Sequence, residues 1–227
     1  MSELLSAIAR CPLRNAIAVG NAEWLSLIHS RELKIAANER RKYFRKAMHF
    51  ALYFGGFSHT GSTPEMMGAG RAAFLACSYD VVTDWRGFDR HYLEIFERQL
   101  KQCATQDLEN MALELYGKDK MNIFTHDGLE RGSIAFRFVT EMMGVRGKIE
   151  DTGLDIDETG RILQIVDDVL DYEEDIEAGE TNCLATPGRQ DHLGALISTD
   201  IQTHFLPQTP LTVVIEIARI KAQKMLP

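Results

Sequence analysis

Apolar residues recur at a helical period through most of this chain. Two stretches without an internal proline, about 22–54 and about 65–116, carry this period and predict long, uninterrupted helices. Segment 129–143 is apolar enough to predict a helix that is largely buried. A further helix is expected after Asp157, with Asp155 or Asp157 as its N-cap residue.

Glycines, prolines and clustered polar residues mark the ends of these helices. Breaks are predicted at about 55–64, 118–127, 144–155 and 179–188. No run of alternating apolar and polar residues is long enough to predict a strand, and the β-branched segment 211–215 continues to residue 220 at helical spacing. The pattern predicts a single all-α domain over residues 1–227.

The composition is that of an ordinary globular protein. With 227 residues, 45% of them hydrophobic, the chain can bury one sizeable core, and its net charge of −8 argues against a general nucleic-acid-binding surface. The four cysteines are far apart and form no CxxC pair, which indicates reduced thiols. The first residues do not resemble a signal peptide, and no apolar run approaches the roughly 20 residues that span a bilayer. We therefore expect a soluble, cytoplasmic protein without a transmembrane segment.

Two clusters of aspartates follow apolar helical runs in different halves of the chain. The first holds Asp80 and Asp84, which are four residues apart, so on a helix their carboxylates share one face. The run before Asp80 is almost entirely apolar or small, from Ala72 to Cys77. An aspartate in such a place should have a partner, which predicts either a bound ligand or a buried salt bridge.

The second cluster begins with Asp167 and Asp168. Asp167, Asp171 and Asp175 follow one another at steps of four residues and would stack along one helix face. Like charges at this spacing repel by roughly a few tenths of a kcal/mol on an isolated helix, and near buried surface they cost more. Divalent cations would relieve the repulsion, and ligands that are all oxygens favour Mg²⁺ over zinc. The glutamates that follow fit a solvated face.

Both clusters resemble motifs of the class I isoprenoid synthases, the superfamily of trans-prenyl diphosphate synthases, squalene and phytoene synthases, and class I terpene synthases. Residues 163–175 are similar to the second aspartate-rich motif of prenyl diphosphate synthases, and the continuation through Gly179, Thr181 and Asn182 resembles large-terpene synthases. The DxxxD spacing of residues 80–84 is similar to that of the squalene synthase and large-terpene branches. It departs from the DDxxD first motif of prenyl diphosphate synthases.

Two basic stretches add to this resemblance. Lys42 and Arg45 are placed like the KxxR pair that binds the homoallylic diphosphate in prenyl diphosphate synthases. Residues 130–136 are similar in placement to the Lys-Thr helix start of that family, with Arg131 in the lysine position. Basic residues at such spacing also fit a solvated face, so the order of all four stretches carries the resemblance.

The resemblance implies a bundle of long helices around a deep apolar cavity, the isoprenoid synthase type I fold, with more than one Mg²⁺ ion at its mouth. The substrate would be an allylic prenyl diphosphate whose C–O bond breaks heterolytically, with cations that neutralise the leaving group. The implied catalytic and metal-binding carboxylates are Asp80 and Asp84 from one side and Asp167, Asp168 and Asp171 from the other, with Asp175 as a further metal ligand. The implied diphosphate-binding residues are Lys42, Arg45 and Arg131.

The resemblance also bears on the apolar pocket. Phe74 and Phe136 are candidates for its wall. Ala76 and Cys77 lie one turn before Asp80, where side-chain size sets the depth of the cavity in chain-elongating relatives. These small residues predict either a deep pocket for a long prenyl chain or simply close helix packing. Under the first interpretation, Ala76→Phe should shorten the accepted substrate or the product.

Three functions stay open at this point. The leading one is a Mg²⁺-dependent terpene synthase-like enzyme that releases diphosphate and then cyclises the cation or eliminates a proton. A trans-prenyl diphosphate synthase, or a head-to-head prenyl coupling enzyme, is the runner-up because the KxxR pair and the DDxxD second motif are typical of condensing enzymes. A non-catalytic partner subunit that keeps the fold is the third. Homodimers are common in the superfamily, and the sequence identifies no interface.

Overall fold

The computed structural model describes residues 15–32, 35, 37–58, 60–85, 89–121, 128–205 and 209–226. Ten α-helices lie within these residues: α1 (Asn15–Glu32), α2 (Ala37–Phe54), α3 (Thr63–Asp80), α4 (Arg90–Cys103), α5 (Gln106–Met121), α6 (Glu130–Met143), α7 (Arg146–Glu150), α8 (Ile156–Ala178), α9 (Arg189–Ser198) and α10 (Pro210–Met225). Short 3-10 helices lie at Gly55–Phe57, Cys183–Ala185 and Ile201–His204, and a π-helical turn lies at Val81–Trp85. The described part of the chain contains no strand, which confirms the all-α prediction there.

The two long stretches without an internal proline each form more than one helix. In the first, α1 ends at Glu32 and α2 begins at Ala37, and Ile35 between them is 1% exposed in a cluster with Tyr43. The amide of Ile35 donates to the carbonyl oxygen of Ser30 at 3.0 Å. The second stretch forms α3, α4 and α5. Burial of Ile35 depends on tertiary packing, which the helical period does not show.

The helix that carries the second aspartate cluster, α8, has a defined cap at each end. Asp155 is its N-cap residue, one of the two predicted, and its side chain accepts a hydrogen bond from the amide of Glu158 at 2.7 Å. The helix therefore begins at Ile156, earlier than the start expected after Asp157. At its other end Gly179 has a φ of 72°, a left-handed conformation that glycine adopts without strain.

Two helix crossings at the centre of the molecule depend on glycines. A Cβ atom at Gly132 of α6 would lie 2.3 Å from the carbonyl oxygen of Gly160 of α8. A Cβ atom at Gly68 of α3 would lie 2.6 Å from the carbonyl oxygen of Met142 of α6. The backbones of α3, α6 and α8 therefore approach one another more closely than larger residues would allow.

A ring of helices encloses the centre. In order, α2 packs on α3, α3 on α6, α6 on α8, α8 on α10, and α10 on α2. Outside this ring, α1 packs on α2 and α3, and α9 packs on α8 and α10. The largest hydrophobic cluster joins side chains from all seven of these helices. Among the described residues, no helix has both the length and the apolar character needed to cross a membrane.

Candidate functional site

The second aspartate cluster lies partly in the wall of a central cavity and partly against the segment that follows α8. Asp167 is exposed to the cavity and lines it. Its neighbour Asp168 is only 4% exposed. Asp171 follows Asp167 by about one helical turn and is exposed, and Asp175 is half-buried one turn further. Residues of the same type on one helix therefore have different surroundings.

Asp168 holds the segment after α8 in place. Its Oδ1 accepts a hydrogen bond from Nε2 of Gln164 at 2.8 Å, and its Oδ2 accepts one from the amide of Cys183 at 2.7 Å. Asn182 donates from Nδ2 to the backbone oxygen of Asp168 and to Oδ2 of Asp175, each at 2.8 Å. Both carboxylate oxygens of Asp168 therefore have protein donors, which suits a residue that orders this segment.

The electrostatic surroundings of Asp167 are the most unusual in the site. Burial by the surrounding protein and, after it, the negative charges of Asp171, Asp168, Asp175 and Asp80 together raise the pKa of Asp167 to about 7. Burial also raises the pKa of Asp171, where Asp175 adds to the effect. These carboxylates thus repel one another in a place where a cation would stabilise their charged forms.

Asp80 brings the first cluster to the same place. It is the last residue of α3, directly before the π-helical turn, and π-helical turns frequently lie at functional sites. Its carboxylate forms an ion pair with Nζ of Lys46 on α2. The charge of Asp80 also acts on Asp167, so these two residues of different clusters lie within electrostatic reach of each other. The side chain of Asp84 lies outside the described part of the structure.

Basic side chains border this acidic region. Lys42 and Arg45 are exposed on α2, and Lys46 lies one residue further along the same helix. On α6, Nη2 of Arg131 lies 2.5 Å from Oδ1 of Asp119, a residue of α5. Arg131 also interacts electrostatically with Asp168. The predicted diphosphate-binding residues are therefore near the acidic region, and Arg131 already has a carboxylate partner.

The central cavity has a volume of about 360 Å³, within the range of roughly 300 to 1,000 Å³ that is usual for small-molecule sites. Helices α2, α6, α8 and α10 line it, together with the 3-10 turn after α2. Its aromatic wall is formed by Phe50, Tyr53, Phe54, Phe57 and Phe136. The cavity is therefore largely apolar and has an acidic group, Asp167, in its wall.

The four residues predicted for the pocket do not come together. Phe136 lines the cavity, as the sequence suggested. Phe74 packs in a separate cluster with Phe96, and Cys77 packs with Tyr43, to whose carbonyl oxygen its thiol donates at 3.5 Å. Ala76 is likewise not among the residues that line this cavity. The side chain of Cys77 thus lies where α3 packs against α2, and Ala76 is half-buried elsewhere on α3.

The donor set fits Mg²⁺ in kind, since every candidate ligand is a carboxylate. The described side chains do not, as they stand, bring together three or more histidine, cysteine or acidic groups that could hold a metal ion. Mg²⁺ usually keeps several waters and takes further oxygens from substrate phosphates, so one or two carboxylates are enough to hold it. Asp167 and Asp171 are the best placed, because both side chains are exposed and burial together with neighbouring carboxylates raises the pKa of each.

Several residues of this site were not singled out from the sequence. They are His49, Tyr53 and Gln164, which line the cavity, Lys46, and Asp119. For α2 a signal was present, since Lys46, Phe50 and Tyr53 recur at helical steps on one face. For Asp119 no signal was present, because its contact with Arg131 joins two different helices.

No protein-family model, curated protein or solved structure matches this chain. The resemblance to the isoprenoid synthases therefore rests on the residues and their arrangement.

Proposed function

We propose that the protein is a Mg²⁺-dependent class I terpene synthase-like enzyme that ionises an allylic prenyl diphosphate, releases diphosphate and then cyclises the cation or eliminates a proton. One observation carries the proposal. Asp167 lies in the wall of an aromatic cavity, and carboxylates of both aspartate clusters raise its pKa. An apolar tail and a multiply charged anion with its cations are the two halves of a prenyl diphosphate ligand, and this site offers a place for each.

The acidic end of the site would hold the metal. Asp167 and Asp171 would bind Mg²⁺ from α8 and Asp80 from α3, with Asp84 and Asp175 as further ligands. When bound, Mg²⁺ supplies Lewis-acid stabilisation of the negative charge on the leaving diphosphate. We assign Asp168 to ordering the segment after α8, since both of its oxygens accept hydrogen bonds from the protein.

The basic residues would bind the phosphate oxygens. Arg131 suits this role because its planar guanidinium gives bidentate contacts and stays charged. Its present partner, Asp119, would give way or share it. Lys46 would do the same on the other side, where it pairs with Asp80. Lys42 and Arg45 extend the basic surface along α2.

The cavity wall would protect and position the organic cation. The rings of Phe50 and Phe54 stack with centroids 5.7 Å apart, and Tyr53 contacts Phe54 at 6.1 Å. Each ring face can stabilise a desolvated cation by about 1–2 kcal/mol. The apolar wall would also exclude water, which would otherwise add to the cation.

The exposed Lys42 and Arg45 favour a second candidate, a trans-prenyl diphosphate synthase or coupling enzyme. They add positive charge beyond Lys46 and Arg131, and a second diphosphate would use it. In that case the cation formed in the cavity would be attacked by the double bond of a second substrate.

The test is release of diphosphate from geranyl, farnesyl and geranylgeranyl diphosphates with Mg²⁺, with and without isopentenyl diphosphate. We expect turnover without isopentenyl diphosphate, and a loss of about 100-fold or more in Asp167→Ala and in Asp80→Ala. Glu173→Ala is the matched control, since Glu173 is an exposed acid on the same helix as Asp167.

Turnover only with isopentenyl diphosphate would move the protein to the chain-elongating enzymes. No Mg²⁺-dependent turnover on any of these substrates, with the wild-type protein folded, would contradict the proposal and favour a non-catalytic partner subunit.

A further inference from the structure

The cavity has an acidic end and an apolar end, and the four helices that line it run between them in directions that can be compared. On α8, Asp167 marks the acidic end, and the cavity wall continues toward the other end past Gly160, seven residues earlier, which packs against Gly132. On α10, Nζ of Lys221 donates to the carbonyl oxygen of Leu170 at 2.9 Å, whereas Pro210 lines the cavity from the start of that helix. The apolar end therefore lies toward the N-terminal ends of α8 and α10.

The other two helices give the same direction. On α2, Lys46 pairs with Asp80 at the acidic end, and the chain continues to Phe57 in the 3-10 turn. On α6, Arg131 interacts with Asp168, and the chain continues to Phe136. Both helices therefore bring a phenylalanine to the apolar end.

These two phenylalanines are packed against each other and against a third. The centroid of the Phe57 ring lies 4.9 Å from that of Phe136 and 5.2 Å from that of Phe205, with the ring planes steeply inclined in both pairs. Phe57 is only 3% exposed. Next to it, a Cβ atom at Gly56 would lie 2.5 Å from Cβ of Leu211, so α10 closes tightly behind the turn.

The helix geometry gives the depth of the cavity. At about 1.5 Å per residue, the seven residues from Gly160 to Asp167 span about 10 Å, and the eleven from Lys46 to Phe57 span about 16 Å. One isoprene unit adds four chain bonds, three single and one double, or roughly 5 Å of extended length. Two isoprene units would therefore span the shorter of these distances, and three would span the longer one.

We infer that Phe57 and Phe136 close the apolar end of the cavity and limit the tail of the ligand to two or three isoprene units, that is, ten to fifteen carbons. This inference rests on the proposed function. It replaces Ala76 by Phe57 as the residue that sets the depth, and it predicts a short substrate where the small residues of α3 suggested a long one.

The experiment is calorimetric titration with Mg²⁺ and the non-hydrolysable thiolodiphosphate analogues of geranyl, farnesyl and geranylgeranyl diphosphate. We expect wild type to bind the geranylgeranyl analogue at least about tenfold more weakly than the farnesyl analogue. Phe57→Ala should remove most of that difference by opening the end of the cavity. Phe57→Leu is a milder variant that keeps the test valid if Phe57→Ala does not fold.

Phe74→Ala is the matched control, because Phe74 is also 3% exposed but packs in a cluster away from the cavity. It should keep the wild-type preference, and so should Ala76→Phe. Equal binding of all three analogues by wild type, or an unchanged preference in both folded Phe57 variants, would overturn this inference alone. Failure of wild type to bind any analogue would overturn the proposed function and this inference together.

Discussion

Glu65 is a buried carboxylate and Asp167 is one that faces the cavity, and their surroundings move their pKa values in opposite directions. Glu65 lies in the first turn of α3 and is 3% exposed. Burial alone would raise its pKa, but hydrogen bonds from Lys148, Ser58 and Thr60 outweigh burial and lower the pKa to about 2. Asp167 has other carboxylates as its neighbours, and its pKa rises to about 7.

The difference separates a structural acid from a ligand-binding one. Nζ of Lys148 donates to Oε1 of Glu65 at 2.7 Å, and the amide of Thr60 donates to Oε2 at 3.1 Å, so Glu65 ties the segment before α3 to α7. The negative charge of Glu65 is therefore balanced by donors within the fold. The negative charge of Asp167 is surrounded by other carboxylates, so a bound cation would stabilise the region of Asp167 and not that of Glu65.

The largest effect is expected when the structural acid is removed. Glu65→Ala should lower the free energy of unfolding by about 3 kcal/mol, because it leaves the buried hydroxyl of Ser58, the amide of Thr60 and the charge of Lys148 without their acceptor. Urea unfolding followed by circular dichroism measures this loss. Glu150→Ala is the control, since Glu150 is exposed and its pair with Arg146 is on the surface. A loss below about 1 kcal/mol for Glu65→Ala would contradict the assignment of Glu65 as a structural acid.

A smaller effect is expected from pH without Mg²⁺. Between about pH 4 and pH 7 folded Asp167 holds a proton that the unfolded chain has lost, so the contribution of Asp167 to stability should fall as pH rises through this window. Buried His29, whose pKa burial lowers to about 3, contributes in the opposite direction, so the effect of Asp167 is read as the difference between wild type and variant. Discounted for solvent in the cavity, the change is about 1 kcal/mol, or about 2–4 °C in Tm. Asp167→Asn should flatten this slope in melting curves recorded from pH 4 to pH 8, and Glu173→Gln should not.

Glu65 should act in the opposite direction at lower pH. Its folded pKa of about 2 lies below the ordinary 4.5, so its contribution to stability is present above about pH 4.5 and is lost as pH falls toward 2. The difference in stability between wild type and Glu65→Gln should therefore shrink as pH falls from about 4.5 toward 2. A difference that stays constant over this range would contradict the assignment of Glu65.

The smallest expected effect is the release of a fraction of a proton when the ligand binds. At pH 7, a pKa of about 7 leaves Asp167 about half protonated, so binding of Mg²⁺ with a diphosphate analogue should release up to about half a proton from it. Calorimetry in two buffers with different ionisation enthalpies measures this release. Asp167→Asn should release less. The same proton release from both proteins would show that Asp167 is not a ligand.

The sequence predicted the helical class, the buried helix α6 and the N-cap residue Asp155, because periodicity and capping are local properties. It also predicted the two aspartate clusters, and the structure brings Asp80 within electrostatic reach of Asp167. The end of the cavity could not be predicted. Phe57 and Phe136 are far apart in the chain, and Ala76 does not line the cavity. Only the arrangement of the helices decides which residues do.

Cys183 can report the opening of the segment after α8, because it contacts Asp168 of that helix. Its amide donates to that carboxylate, and its side chain is 0% exposed. A thiol reagent can therefore reach it only after the segment following α8 has come away from the helix, whereas the half-buried Cys103 has no such protection. The rate at which Cys183 is labelled therefore reports how often this side of the candidate site opens. The measurement uses a natural cysteine, so no cysteine has to be introduced by mutation.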